Sequence, residues 1–119
     1  MVLDRSPDPR DFLPIKPVEL LVLMTLSGGD RHGYGIRQDI LEYTEGRLSV
    51  EAGNLYRHIR ALEDDGLVQD VPAKRGASES DERRIYYRLT PFGKRVLAAE
   101  TLRLRSLVQL AVERGIIRT

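Results

Sequence analysis

Apolar side chains recur with a helical period through the first half of the chain. Between residues 17 and 26 they cover more than half of the helical circumference, which predicts a buried helix that ends at Gly28. A second helix is predicted from about residue 34 to 45, with Gly46 as its stop. A third is predicted from about residue 51 to 65. Its expected buried face consists of Ala52, Leu55, Ile59 and Leu62. Ser49 is its candidate N-cap.

The period changes from helical to alternating after Gly66. The segments LVQDVP and RRIYYRL have the composition of strands, and the polar stretch AKRGASESDE separates them. They predict an antiparallel hairpin with a long tip. Alternation within the second strand assigns one buried face to Ile85, Tyr87 and Leu89.

The last predicted element is a long helix. Thr90 is the expected N-cap, Pro91 suits the first helical position, and about 25 residues of strong helix formers follow. A chain of 119 residues has a modest core, so pairing of this apolar helix with a second copy is expected. The predicted homodimer contacts are Leu97, Leu104, Leu107, Val108 and Ala111.

This order of elements is that of a winged helix-turn-helix, a mainly α fold of the α+β type with three helices and a two-stranded wing. We divide the chain into an extended arm at 1–17, a winged helix domain at 18–89 and a dimerisation helix at 90–119. Prolines at four positions keep the arm from forming a regular helix, and its expected docking residues are Phe12, Leu13 and Ile15.

The third helix of such a fold enters the major groove of DNA. Its outward face should carry Gly53, Asn54, Arg57 and Arg60. Asn and Arg can form bidentate hydrogen bonds with base edges, and Gly lets the backbone approach a groove wall. Tyr56 and His58 lie at the flanks, where contacts with phosphates are expected.

The net charge of +1 is small, but the charges are unevenly placed. From Lys74 to Arg95 seven basic residues face three acidic ones. The wing residues expected to contact phosphates are Lys74, Arg75, Arg83 and Arg84.

Other functional classes lack the residues that they require. With no Cys, the chain has neither disulfides nor thiolate chemistry. His32 and His58 do not form a catalytic constellation, and the carboxylates at 63–65 suit a solvated helix end rather than a metal site. No run is apolar enough to span a membrane. We therefore expect a cytoplasmic protein that is not an enzyme and has no cofactor, metal or membrane partner.

Three segments together resemble the signature segments of the PadR family of transcriptional regulators: HGYGIRQDI, NLYRHIRALEDDGLV and RRIYYRLTPFGKRVL. The resemblance covers about residues 18 to 100. It implies a homodimeric winged helix protein that usually represses transcription, with the C-terminal helix as the dimer contact. It also assigns Tyr56 to the surface that reads DNA, Arg83 and Arg84 to the base of the wing, and Tyr34 to packing or phosphate contact.

The expected function is therefore sequence-specific binding of double-stranded DNA, as a repressor dimer on an inverted-repeat operator. A single helix follows the wing, as in the short subfamily, some of whose members bind flat aromatic ligands between subunits, often against a Trp. This chain has no Trp, and a small aromatic effector that releases the DNA stays a candidate partner. The alternative is a winged helix module that dimerises through its last helix and binds proteins rather than DNA.

Overall fold

The computed structural model describes residues 7–72 and 85–119. Within them the chain forms four α-helices: α1 (Pro17–Leu26), α2 (Gly33–Tyr43), α3 (Ala52–Asp64) and α4 (Pro91–Glu113). It also forms three strands: β1 (Arg31–His32), β2 (Val68–Val71) and β3 (Tyr86–Leu89). A 3-10 turn at Pro9–Phe12 precedes α1. The fold is thus a winged helix-turn-helix with a long C-terminal helix, as predicted.

The buried face of α3 holds that helix against the core. Leu55, Ile59 and Leu62 are each 2% exposed or less, which confirms three of the four positions predicted from their spacing. Ala52 was predicted with them but is exposed, because it opens the first turn of α3, at the edge of the core. The predicted cap at Ser49 is also wrong: α3 begins after Glu51, and no side chain caps it.

The sheet contains one strand more than the hairpin predicted from the sequence. Strand β3 lies in the centre, between β1 and β2, and both pairings are antiparallel. Tyr87 and Leu89 are buried as predicted, whereas Ile85 is 55% exposed. The error has a simple cause: Ile85 precedes the first residue of β3, outside its pairing with β2.

Two close contacts fix the start of α4. The Thr90 hydroxyl accepts the Gly93 N–H at 2.9 Å, which confirms the predicted cap, and donates to the Gly66 carbonyl at 2.7 Å. A Cβ atom on Gly93 would overlap the carbonyl oxygen of Leu67. The Gly66 turn and the first turn of α4 are therefore packed backbone to backbone.

The N-terminal arm is docked on α4. Phe12 meets Phe92 edge to face, with ring centroids 5.4 Å apart, and Leu13 and Ile15 also pack against the core, as predicted. The Ile15 N–H donates a 2.6 Å hydrogen bond to the carboxylate of Glu100, which is fully buried. The Arg103 guanidinium and this backbone N–H hold the pKa of Glu100 below its usual value.

The two halves of α4 have different surroundings. Its buried residues lie in the first half and include Val96 and Leu97. Leu97, one of the predicted dimer contacts, is 7% exposed and belongs to the core of the protomer. In the second half, Leu107 and Val108 are about half exposed. No helix of the described residues is long and apolar enough to cross a membrane.

Candidate nucleic-acid interface

The outward face of α3 is the surface on which the sequence predicts DNA contacts. Gly53, Asn54, Arg57 and Arg60 are all exposed there. A Cβ atom on Gly53 would have no neighbour within 4 Å, so packing inside the protein does not require glycine at this position. Among the described residues Arg57 has no ion-pair partner. The outward face has no side chain at Gly53, near the start of α3, and carries hydrogen-bond donors along the rest of the helix.

His58 faces α1 rather than the outward side of α3. Its Nδ1 lies 2.7 Å from Oε2 of Glu19, and both side chains are largely shielded from solvent. The pair ties α3 to α1 and so orients the outward face. The phosphate contact predicted for His58 would require its imidazole to leave Glu19.

Tyr56 packs against the first residue of α2. A Cβ atom on Gly33 would lie 3.0 Å from the Tyr56 hydroxyl oxygen and 3.3 Å from its ring. Half of Tyr56 and slightly more of Tyr34 remain exposed, at 49% and 55%. The two tyrosines, predicted from separate motifs, therefore lie on one surface beside the start of α2.

The start of α2 is itself braced from two sides. The Nδ1 atom of His32 accepts the Gly35 N–H at 2.9 Å and caps the helix. Arg31 makes two hydrogen bonds to Asp39, at 3.0 and 3.1 Å, and the Thr25 hydroxyl donates a third at 2.6 Å. The Arg31 guanidinium holds the pKa of Asp39 below its usual range. These contacts hold the first turn of α2, which carries Tyr34.

The basic stretch predicted around the wing is only partly within the described residues. The Arg88 guanidinium donates two hydrogen bonds to the Asp30 carboxylate, at 3.0 and 2.8 Å, so its charge is balanced inside the protomer. Lys74, Arg75, Arg83 and Arg84 lie outside the described residues, and their phosphate contacts stay predictions.

A recess beside α3 brings together residues that the sequence did not connect. It has a volume of about 450 Å³ and lies between the start of α2, α3, β2 and β3. Glu63 of α3 and Asp70 of β2 both line it. Burial and a hydrogen bond with Asp70 raise the pKa of Glu63 to about 7, so near neutrality the Glu63 carboxyl group is partly protonated. Sequence reasoning missed this pair, because it depends on how the hairpin packs on α3.

The helix order, the exposed face of α3 and the hairpin that follows it define the chain as a winged helix protein. Residues 22–99 match the family model described as "Transcriptional regulator PadR-like family". The protein therefore belongs to the PadR-like family of transcriptional regulators.

Individual relatives are distant but cover most of the chain. A PadR family transcription regulator from Clostridium difficile is 22% identical and superposes with a TM-score of 0.70, covering 82% of this chain and 97% of its own. Bacillus subtilis PadR, solved in complex with operator DNA, is 23% identical with a TM-score of 0.58; the match covers 71% of this chain and 46% of that one. An uncharacterized protein of Lysinibacillus sphaericus is 26% identical over 99 residues, which are 81% of this chain and 88% of that protein.

Proposed function

We propose that this protein is a sequence-specific DNA-binding regulator that acts as a homodimer, each protomer placing α3 in a major groove of an inverted-repeat operator. Repression follows if the operator overlaps a promoter. A small aromatic effector that releases the DNA is part of the proposal. The observation that carries it is the outward face of α3, where Gly53 has open space and Arg57 has no ion-pair partner among the described residues.

The chemistry of this face suits base recognition. The Asn54 amide and the Arg57 guanidinium each offer two hydrogen-bonding atoms to a base edge. Gly53 lies one residue from the start of α3 and has nothing within 4 Å, so the helix can approach a groove wall there. Tyr56 and Arg60 lie beside these residues and are proposed to contact phosphates. The related Bacillus subtilis protein, which was solved with operator DNA, supports this use of the fold.

The second half of α4 supports the proposed homodimer. Leu107 and Val108 are 50% and 51% exposed, and Leu102 and Leu110 also remain in contact with solvent. A stripe of this kind on a helix of 23 residues gains free energy when a second apolar helix covers it. We propose Leu104, Leu107, Val108 and Ala111, which follow one side of α4, as the dimer contacts.

A titration of the full-length protein with a random-sequence duplex at two salt concentrations tests the proposal. A protein that neutralises phosphates releases counterions, so the affinity should fall steeply as salt rises. Absence of binding at low salt would contradict the proposal. It would favour the protein-binding alternative, in which α4 still dimerises but α3 does not contact DNA.

A further inference from the structure

The recess beside α3 has a wall of aromatic rings and a pair of acidic groups. Tyr34, Tyr56 and Tyr87 line it, and Glu63 and Asp70 contribute the carboxyl groups. We call this cavity the tyrosine recess. Its volume of about 450 Å³ lies within the usual range of small-molecule pockets.

The charges in the tyrosine recess favour a cationic ligand. Burial and the neighbouring Asp70 leave Glu63 partly protonated near neutral pH, and a positive group placed between the two side chains could replace that proton. Arg60, an exposed residue of α3, contributes an opposing charge to the described part of the lining. A phosphate or a carboxylate seated between Glu63 and Asp70 would meet two acidic groups, so anions are disfavoured at that position.

The aromatic wall favours the same class of ligand. Tyrosine rings attract cations through their π faces, and they stack against flat rings. Tyr34 and Tyr56 are about half exposed, so part of each ring is accessible to a small molecule. Burial raises the pKa of Tyr87 to about 12, so its hydroxyl stays neutral and can form hydrogen bonds.

We propose that the tyrosine recess binds a small organic cation, with an amidinium or ammonium group on Glu63 and Asp70 and a flat ring against the tyrosines. The site belongs to one protomer and is separate from the helix α4 that is proposed to form the dimer. The proposed ligand binding goes beyond the proposed function and does not rest on it, because binding can be measured on the protein in the absence of DNA.

Three probes of almost equal shape but different charge test whether binding depends on the positive charge. Benzamidine is a flat ring with a cationic group, benzamide is its neutral counterpart, and benzoate is the anionic one. Each is titrated into the full-length protein at pH 8 by calorimetry, with tyrosine fluorescence as a second readout, since the chain has no Trp. Saturable binding of benzamidine at millimolar concentrations or below, with benzamide at least about tenfold weaker and benzoate inactive, is expected. No saturable benzamidine binding, or equal binding of all three, would overturn the proposal.

Paired variants locate the site. Glu63→Gln with Asp70→Asn keeps hydrogen-bonding groups in place but removes both charges, and it should abolish benzamidine binding. Glu42→Gln, an exposed carboxylate of α2 outside the recess, is the matched control and should bind as the wild type does. A second variant, Tyr34→Ala, alters an exposed ring and should weaken benzamidine binding while the fold is kept. Unchanged affinity in both the charge variant and Tyr34→Ala would show that the probe binds elsewhere.

The pH dependence of binding provides an independent readout. Glu63 titrates near pH 7 beside Asp70, Asp64 and Arg60, with Tyr87 of β3 and His32 before α2 also lining the recess. At pH 8 Glu63 is mostly ionised, and at pH 6 it mostly holds a proton that the ligand must displace. Benzamidine affinity should therefore fall by up to about tenfold per pH unit below 7, with proton release on binding. An affinity that is the same at pH 6 and pH 8 would contradict the proposed contact with the carboxyl pair.

Discussion

Gly93 and Leu67 are in such close contact that a Cβ atom on Gly93 would overlap the Leu67 carbonyl oxygen. Because the neighbour is backbone, the overlap can be relieved only by moving the start of α4 away from the Gly66 turn. We therefore predict that Gly93→Ala lowers the free energy of unfolding by about 2 to 4 kcal/mol. Chemical denaturation followed by circular dichroism measures this change, and a loss below about 0.5 kcal/mol would show that the contact is not rigid.

The substitution of alanine for Gly53 should change DNA affinity rather than stability. A Cβ atom there meets no neighbour within 4 Å, and alanine favours the helix by up to about 1 kcal/mol. Gly53→Ala should therefore leave the protein as stable as the wild type or slightly more stable. It should weaken DNA binding several-fold, because the added methyl group widens the surface of α3 that faces the groove. Denaturation and DNA titration of the same sample test both parts. Unchanged DNA affinity would show that Gly53 is not needed for a close approach of α3 to DNA.

The buried carboxylate of Glu100 should make arm docking dependent on pH. Arg103 and the Ile15 N–H stabilise its ionised form, so its folded-state pKa lies below the ordinary value of 4.5. A lowered pKa contributes stability that is present above the ordinary value and is lost as pH falls through the folded-state value. Glu100→Gln should lower the melting temperature at pH 7, and the difference from the wild type should shrink below pH 4.5. A difference that is constant down to acid pH would contradict this role for the charge.

The exposed stripe of α4 should control the oligomeric state. Leu104→Glu with Leu107→Glu places two charges in that stripe, and we expect a monomer or an aggregate in place of a dimer. Gln109→Glu adds charge to an exposed polar position of the same helix and is the matched control. Light scattering after size-exclusion chromatography gives the mass. A dimer of unchanged stability in the double variant would show that the dimer contact lies elsewhere.

Periodicity predicted the elements whose contacts are local or strongly amphipathic. The spacing of Leu55, Ile59 and Leu62 identified the buried face of α3, and Thr90 with Pro91 identified the start of α4. These signals suffice because each lies within one element and depends on its own helical geometry.

Features that depend on pairing between distant segments were missed. Strand β1 has only two residues, Arg31 and His32, and exists through its pairing with Tyr86 and Tyr87. Two residues are too few to show an alternating period. The meeting of Glu63 with Asp70 likewise depends on the packing of β2 against α3. The DNA-binding and dimer residues stay predictions, apart from the observed positions of Leu97 in the core and of His58 beside Glu19.

The comparison of Arg57→Ala with the wild type tests the central claim, that α3 reads DNA sequence. The operator is first selected from genomic fragments, where an inverted repeat with half-sites about one helical turn apart is expected. Affinities are then measured for this operator and for a scrambled duplex, with Arg47→Ala as an exposed control outside α3. We predict that Arg57→Ala costs about 1 to 3 kcal/mol on the operator and little on the scrambled duplex, whereas Arg47→Ala changes neither. An equal loss on both duplexes would make Arg57 a phosphate contact, and no loss on either would contradict the assignment of α3 as the reading helix.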